Sequence, residues 1–540
     1  MANPKYSDFL KKSRFNITKA KRYMALYNQI MELGLFDKDF YLSSYPNIKK
    51  SGMDPLIHYL FHGYREGKLP SLYFDIERYI NEFPEAKNMN PLVHYVENNR
   101  KGFILRKDSS LIKKNRVIDT NSLFLNNYTF KEEPLVSIII LNRNGLTHLR
   151  RLFKDFDKKT NYDNYEIIVV DNASCDESVE YLNSLKKELP IKIIENSENV
   201  SFSKGNNDGA KIAKGEYLLL LNNDIEPTYG WLNEMVGTIV NKSDVGSVGA
   251  KLIFPYYSDM ENQGKSFSIQ HAGVKFREER TPYVYGPYHE NMFLTLIFSD
   301  KVNFQKEVVS NTAACLLLSK KVYFELNGLD EDYFYGYEDI DFAFKLFDAG
   351  YKNIYCPSAL LFHHESATRV DDERIHQLNF KNISTFVEKW GNFLFKNLLK
   401  DKINNNNFFT NKKLYFSIMN THNSNKELVY SIAKSLNKEG YNVNLSSNIN
   451  NLDLGEDCDI FISFNSDYNI KKVISRLNLI KILILDSLNK ENIDYYDIVI
   501  VKNKSLINKI NHKNVFFVES NKEIAFSKEI LRIIEEVYLR

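Results

Sequence analysis

The chain is constrained most by one run of bulky apolar residues, Tyr217 to Leu221, which lies between Gly215 and Pro227 and stops abruptly on Asn222-Asn223-Asp224. It is far shorter than the ~20 apolar residues that span a bilayer, and reads as a strand buried on both faces. Asn222 to Asp224 then falls at the carboxyl end of that strand, where open α/β sheets place their ligands. A carboxylate backed by amides suits a hard divalent cation that in turn holds phosphate oxygens. The same three residues are also an ordinary turn signal.

The pattern recurs along the chain. Pro134 to Leu141 is a first apolar run, ended by Asn142-Arg143-Asn144-Gly145 and followed by Leu146, Leu149, Leu152 and Phe153 at helical spacing. Glu166 to Val170 is a second, ended by Asp171-Asn172-Ala173-Ser174, with a helix expected over 178–189. Ile191 to Ile194 is a third, leading into Asn199 to Ala210 and a further helical stretch. Strand, polar tip and helix in repeated succession predict a parallel sheet with helices on its faces. A single tip of this kind is a βα turn. Several of them, all rich in Asn and Asp at one end of a sheet, predict a cleft for a polar ligand.

The residues themselves carry a resemblance. Val169 to Asp176, then Asn206-Asn207-Asp208-Gly209, then Leu221 to Asp224, resemble the nucleotide-sugar half of a family 2 inverting GT-A glycosyltransferase, in the branch that includes many bacterial rhamnosyltransferases. The resemblance implies a GT-A fold, with Asp171 contacting the nucleobase or ribose and the loop Asn142, Arg143 and Asn144 closing over the base. Asn172, Asn207 and Asn223 fall to the donor site in the same way. Asp224, the last acid of an Asp-x-Asp-like motif, is implied to bind Mn2+ or Mg2+, with a UDP- or dTDP-sugar as donor. Asn222 stands where that motif has its first acid, which leaves one carboxylate fewer.

The acceptor half follows. Ile269 to Val274 resembles a segment of the same branch, and Asn311 to Leu318 reads as a strand entering the active site. Gly328-Leu329-Asp330, an aromatic run and Glu338-Asp339-Ile340-Asp341 come next, with Ile340, Ala343, Phe344 and Phe347 on one helical face and Gly350 as its stop. Acids at such a place also suit a helix N-terminus through the backbone dipole alone. The resemblance makes Asp339 the general base, Glu338 a residue that positions the acceptor, and Asp341 a supporting carboxylate. Tyr333, Phe334, Tyr335 and Tyr337 offer faces for sugar stacking or fill core. Of His363 and His364, the resemblance favours His363 as a metal ligand, with His364 as the alternative. The implied chemistry is single displacement: Asp339 takes the proton of an acceptor hydroxyl as its oxygen attacks the anomeric carbon opposite the departing diphosphate.

Two flanking regions complete the chain. Phe36 to Tyr59 is echoed by Phe74 to Tyr95, each copy ending in a proline-led helix start, Asp54-Pro55-Leu56 and Asn90-Pro91-Leu92. This predicts an α-helical module over 1–103 with related repeats at about 36–70 and 74–103. His58 and His94, at equivalent places, read as structural or as sugar contacts. A linker over 104–131, a GT-A domain over 132–395, a second linker over 396–411 and a Rossmann-like α/β domain over 412–540 follow. The last resembles one half of a GT-B glycosyltransferase by pattern alone. It is too short to complete such a site, and is read as a docking or oligomerisation domain without catalysis, a second nucleotide site being the lesser alternative.

With 71 basic and 69 acidic residues, nothing in the charge balance asks for nucleic acid. Neither a signal peptide nor an apolar run of spanning length is evident, which predicts a cytoplasmic protein and is compatible with peripheral association at the inner face of the plasma membrane. The four cysteines, Cys175, Cys315, Cys356 and Cys458, are scattered without paired spacing, predicting reduced thiols and neither a disulfide framework nor a zinc site. The partners expected are a nucleotide-sugar and a bacterial surface glycan or glycoprotein acceptor. A catalytically silent GT-A scaffold that binds glycan or protein is the competing class.

Overall fold

The structure is a computed structural model that describes residues 6–13, 16–32, 35–71, 74, 76, 79–80, 83–98, 125–255, 267–278, 285–293, 299–334, 336–364, 373–420, 425–446, 458–464, 479–487, 493–519 and 523–539. It divides into two compact units, Met1–Val274 with His289–Asn382, and Lys275–Tyr288 with Ile383–Arg540.

The first unit is built on a ten-stranded sheet. Its strands are β1 (Val136–Asn142), β2 (Tyr165–Asn172), β3 (Ile191–Asn196), β4 (Tyr217–Asn222), β5 (Ile225–Pro227), β6 (Val245–Ile253) and β7 (Ile269–His271), then, beyond a separate ribbon of β8 (Val274–Glu278) and β9 (Tyr285–His289), β10 (Lys306–Val308), β11 (Cys315–Ser319) and β12 (Lys352–His363). The main order is β10-β12-β6-β11-β4-β1-β2-β3, with β5 on β12 and β7 on β6. β3, β2, β1 and β4 run parallel, as the alternating pattern requires, while β11 lies antiparallel between β4 and β6.

Side chains along β1 alternate between two cores. Ile138 and Ile140 pack with Leu149, Leu152, Trp231 and Met235, whereas Ile139 packs on the other face with Ala210, Tyr323 and Phe342. Helices thus cover both faces, and β2 is buried along its whole length.

The N-terminal helices do not form a separate core. Ile30, Tyr41, Leu56, Tyr79 and Leu92 belong to one buried cluster with Ile253, Phe267, Ile269, Tyr355 and Phe362 of the sheet region. The helices of the 1–103 region thus share their core with the sheet: a few short helices bury little apolar surface alone, and their apolar face is completed by the sheet. The repeat is visible in the bonding. Asp54 and Asn90 cap their helices, accepting from the backbone N–H groups of Ile57 and of Leu92 and Val93. Tyr41 and His58 are hydrogen-bonded at 2.9 Å, Tyr79 and His94 at 2.8 Å. Both histidines are buried with these partners, so the structural reading of them is the one the contacts support. Of the linker placed at 104–131, residues 104–124 lie outside the described residues. Asn126 and Asn127 beyond them are tied to the buried carboxylate of Glu234.

The second unit holds a six-stranded parallel sheet of β13 (Tyr415–Asn420), β14 (Asn442–Ser446), β15 (Ile460–Phe464), β16 (Ile480–Leu485), β17 (Ile498–Val501) and β18 (Val515–Phe517), in the order β14-β13-β15-β16-β17-β18. This is the flavodoxin-like order of the doubly wound class, and not the 3-2-1-4-5-6 order of a dinucleotide-binding sheet. Two further boundaries differ from expectation. Helix Glu373–Asn404 runs through most of the region read as a linker at 396–411, because Leu394, Leu398, Leu399 and Ile403 give it a buried stripe. Residues 275–288 join the second unit, where the Phe276 N–H donates to the Phe409 carbonyl.

Because the N-terminal helices and the sheet share one core, deleting residues 1–103 is expected to yield an aggregating chain, or one with a melting temperature lowered by several degrees. Thermal denaturation of the truncated protein checks this; an unchanged transition would contradict the shared core.

Candidate active site

Parallel pairing in register sets the cleft. Asn142 at the end of β1 stands beside Asp171 of β2, and Leu141 beside Asn222 of β4, so the polar tips lie at one level. The Asn142 amide donates to Asp171 Oδ1 at 3.0 Å and its carbonyl oxygen accepts from the Asn223 amide at 2.9 Å. Asp171 also accepts from the backbone N–H and hydroxyl of Ser174, at 2.9 and 2.6 Å. That leaves its carboxylate room for about one more donor. Asn144, in the left-handed region at φ 49°, receives the Cys175 N–H on its side-chain oxygen at 2.8 Å. Arg143 is exposed at the same rim.

At Gly145 any side chain would have to displace two amides. A Cβ at that position would come within 2.3 Å of Asn142 Oδ1 and 2.4 Å of Asn223 Nδ2.

Two predicted donor residues have their polar groups engaged within the protein. Asn207 donates to the Leu329 carbonyl and Glu331 and accepts from the Tyr323 hydroxyl and the Leu329 N–H, which uses all four of its hydrogen bonds. It pins helix Phe202–Ile212 to the loop ahead of the acidic helix. Asn172 donates to the Val200 carbonyl and accepts from Asn196.

At the other end of the β4 tip, Asp224 faces His363. β12 pairs with β5, setting His363 opposite Ile225, and His363 Nε2 lies 3.2 Å from Asp224 Oδ1. The Gln270 side-chain oxygen, from β7, sits 2.5 Å from His363 Nδ1. An amide oxygen only accepts, so Nδ1 carries a proton, and Nε2 is left to donate to Asp224 when it is protonated or to offer a lone pair when it is not. Asp224 Oδ1 is buried without a well-formed hydrogen bond. Burial would push this carboxyl up, but His363, and then His148, outweigh it and hold it below the ordinary aspartate value.

His364 points elsewhere. Its Nε2 meets Glu226 at 3.1 Å, and Glu226 also has Lys159 at 3.7 Å, so that carboxylate is already compensated. The residues after His364, 365–372, lie outside the described residues.

The acidic helix, Glu338–Asp348, starts after Gly336 and Tyr337, which both adopt positive φ, 92° and 74°. Asp339 Oδ2 accepts from the Ala313 N–H at 3.1 Å and Oδ1 from the Ile340 N–H at 2.9 Å. The neighbouring Ala314 carbonyl accepts from the Asn222 N–H, which links Asp339 to the β4 tip through one short segment. Residues 311–314 are loop, and the strand expected over 311–318 begins at Cys315. Dense surroundings raise the Asp339 pKa above the ordinary aspartate value, against the opposing hydrogen bonds from Ala313, Ile340 and Thr312.

Glu338 is buried beside it. Asp341 is wholly buried and faces the Lys345 ammonium at 3.3 Å and the Tyr333 hydroxyl at 3.5 Å. Those contacts give Asp341 a place in the scaffold that holds the helix. Of the aromatic run, Tyr333 is core, Phe334 is exposed, Tyr337 is half-buried and Tyr335 lies outside the described residues.

Sequence reasoning assigned no part to Gln270, Ser174 or His148. Gln270 lies in a segment that drew attention for its resemblance, but its partner is 93 positions away, and no local spacing signals such a contact.

Residues 137–296 match the family described as Glycosyl transferase family 2. That stretch includes Asp171 and Asp224 and ends before Asp339 and His363. Similar proteins include the uncharacterized protein y4gI of Sinorhizobium fredii, 33% identical over 44% of this chain and 25% of its own length. The O-antigen biosynthesis protein RfbC of Myxococcus xanthus is 30% identical over 45% of this chain and 18% of its own length. An N-acetylglucosaminyl-diphospho-decaprenol L-rhamnosyltransferase of Mycobacterium tuberculosis is 33% identical over 14% of this chain and 24% of its own length. The chain thus spans a quarter or less of the length of these relatives. Among the described residues, no helix is long and apolar enough to cross a membrane.

Gly145→Ala is expected to force apart the amides of Asn142 and Asn223, at a cost of about 1–3 kcal/mol typical of overpacking. Urea denaturation of the variant measures it; an unshifted midpoint would show that the amides move aside freely.

Proposed function

We propose that this protein is a metal-dependent, inverting glycosyltransferase that moves a sugar from a UDP- or dTDP-linked donor to a hydroxyl of a bacterial surface glycan or glycoprotein. The observation that carries the reading is the Asp224–His363 pair at 3.2 Å, two groups that both present lone pairs when the imidazole is neutral. A proton or a cation has to lie between them. Mn2+ and Mg2+ fit, since such ions take one or two protein ligands and complete their shell with water and phosphate oxygens. Gln270, bonded to the far nitrogen of His363, supplies the orienting contact that metal-bound histidines usually have. When bound, the ion would neutralise the charge that develops on the departing diphosphate.

The remaining roles belong to the chain. Asp171, braced by Asn142 and Ser174, offers an acceptor for the base or ribose, with Asn144 at the rim. Asn223 braces Asn142 from the other side. Asp339 is held by backbone N–H groups beside the β4 tip, and its raised pKa makes it a stronger base for an acceptor hydroxyl than an exposed aspartate. Buried Glu338 at the same helix start orients the acceptor, and exposed Phe334 gives a sugar an apolar face. The O-antigen biosynthesis and rhamnosyltransferase relatives support a glycan acceptor and keep rhamnose among the donors to test. We assign the flavodoxin-like sheet of the second unit to docking or assembly, without catalysis.

Nucleotide release from a panel of UDP- and dTDP-sugars, with Mn2+, Mg2+ or chelator and with candidate glycan acceptors, tests the proposal. Metal-dependent release from one donor is expected, lost in Asp224→Ala and reduced about 10²-fold or more in Asp339→Asn. A base must be ionised, so kcat should rise with pH through a midpoint above the ordinary aspartate value. Release unaffected by Asp339→Asn would sink the base assignment. Glycan binding without release from any donor would favour the silent scaffold.

A further inference from the structure

Two successive residues of β7 reach the two halves of the site. Gln270 turns toward His363, and His271, pointing to the other side of the extended strand, meets Asn311. β7 is itself held against β6, with His271 opposite Leu252. His271 and Asn311 are both buried, and neither has a part in the roles assigned so far.

Hydrogen bonds fix the ring and its partner. Asn311 donates through its amide nitrogen to the Ile354 carbonyl at 3.1 Å, so its oxygen is the atom that faces His271 Nε2, at 3.3 Å. An amide oxygen only accepts, and Nε2 therefore carries a proton. Burial, and then His289, hold the His271 pKa well below the ordinary histidine value, so the ring is neutral and its Nδ1 keeps a lone pair. His289 Nδ1, 2.9 Å away, fills that place by donating. On its other side the Asn311 side chain lies over Gly249, where a Cβ would come within 2.3 Å of its Cγ. Asn311 is two residues ahead of Ala313, whose N–H is bonded to Asp339 Oδ2 at 3.1 Å. The loop between them is tied at one end by the Val274–Ser310 bridge and at the other by the Ala314 carbonyl, which accepts from the Asn222 N–H. Between those ties the Asn311 side chain anchors it.

We propose that His271 is a positioning residue for the base: by holding Asn311 it fixes the loop whose Ala313 N–H aims the Asp339 carboxylate. This rests on the reading of Asp339 as the base. A ring so deeply buried does not meet substrate, and it acts through Asn311. With Gln270 next to it, a single dipeptide of β7 braces the ion side and the base side of the site together.

The test compares His271→Gln, which keeps a donor near the place of Nε2, with His271→Asn and His271→Leu, which do not. Hydrogen–deuterium exchange of the full chain, read by mass spectrometry on the peptide that contains 311–314, should be about tenfold faster or more in the Asn and Leu variants and near native in His271→Gln. In the transfer assay, kcat should fall about tenfold or more in the same two variants, with the donor KM within about twofold of native. The pH midpoint of kcat should rise by about one unit, because a hydrogen bond to the ionised form of Asp339 is weakened and its pKa moves further up. His271→Gln should recover both. Thermal melting shows which variants are folded, and His271→Asn, which keeps a polar group for His289, carries the comparison if His271→Leu does not fold. Native exchange with an unmoved pH midpoint, or equal losses in all three variants, would overturn the assignment. Faster exchange at 311–314 in a protein whose turnover is untouched by Asp339→Asn would leave the anchor standing and sink the base reading, and with it the role of His271.

Discussion

The first unit depends on the in-register parallel pairing of β1 with β2 on one side and β4 on the other. The registers set Asn142 opposite Asp171 and bring Asn222, opposite Leu141, within one residue of that level, so the donor-side tips share one edge of the sheet. A shift of one residue in either pairing would turn those side chains to the opposite face and bury carboxylates among Leu and Ile. The apolar alternation of β1 between two helix layers is what forbids the shift. Stability and site geometry therefore rest on the same pattern.

That coupling explains why so much was legible beforehand. An apolar run that ends on Asn and Asp announces both a buried strand and the end where ligands bind, so the parallel core and its tips could be read directly. What could not be read is where side chains turn once the chain is folded. Asn207 sits in a polar cluster like the others, yet its amide is spent on the loop at 323–331. Asp341 shares a helix turn with Asp339, yet two residues of helical rotation carry it into the core against Lys345. The choice between His363 and His364 was open for the same reason. Neighbours on a strand point to opposite faces, and here one meets Asp224 and the other Glu226.

The flanking regions show the limits of reading by pattern. Repeated helix starts are recognisable in sequence, but the apolar face those helices share with Ile253, Phe267 and Phe362 is not, because it depends on residues far along the chain. In the second unit, short apolar runs announced parallel strands, whereas the order in which they pair is set by crossovers whose direction leaves no local trace.

The central claim is that Asp224 and His363 form the ion-binding side of a nucleoside diphosphate site. The most direct measurement is anomalous diffraction from crystals grown with Mn2+ and UDP or dTDP. The account predicts one manganese peak beside Asp224 and His363, in crystals that also hold the diphosphate. A peak between Glu226 and His364, or a diphosphate bound without manganese at Asp224, would contradict it.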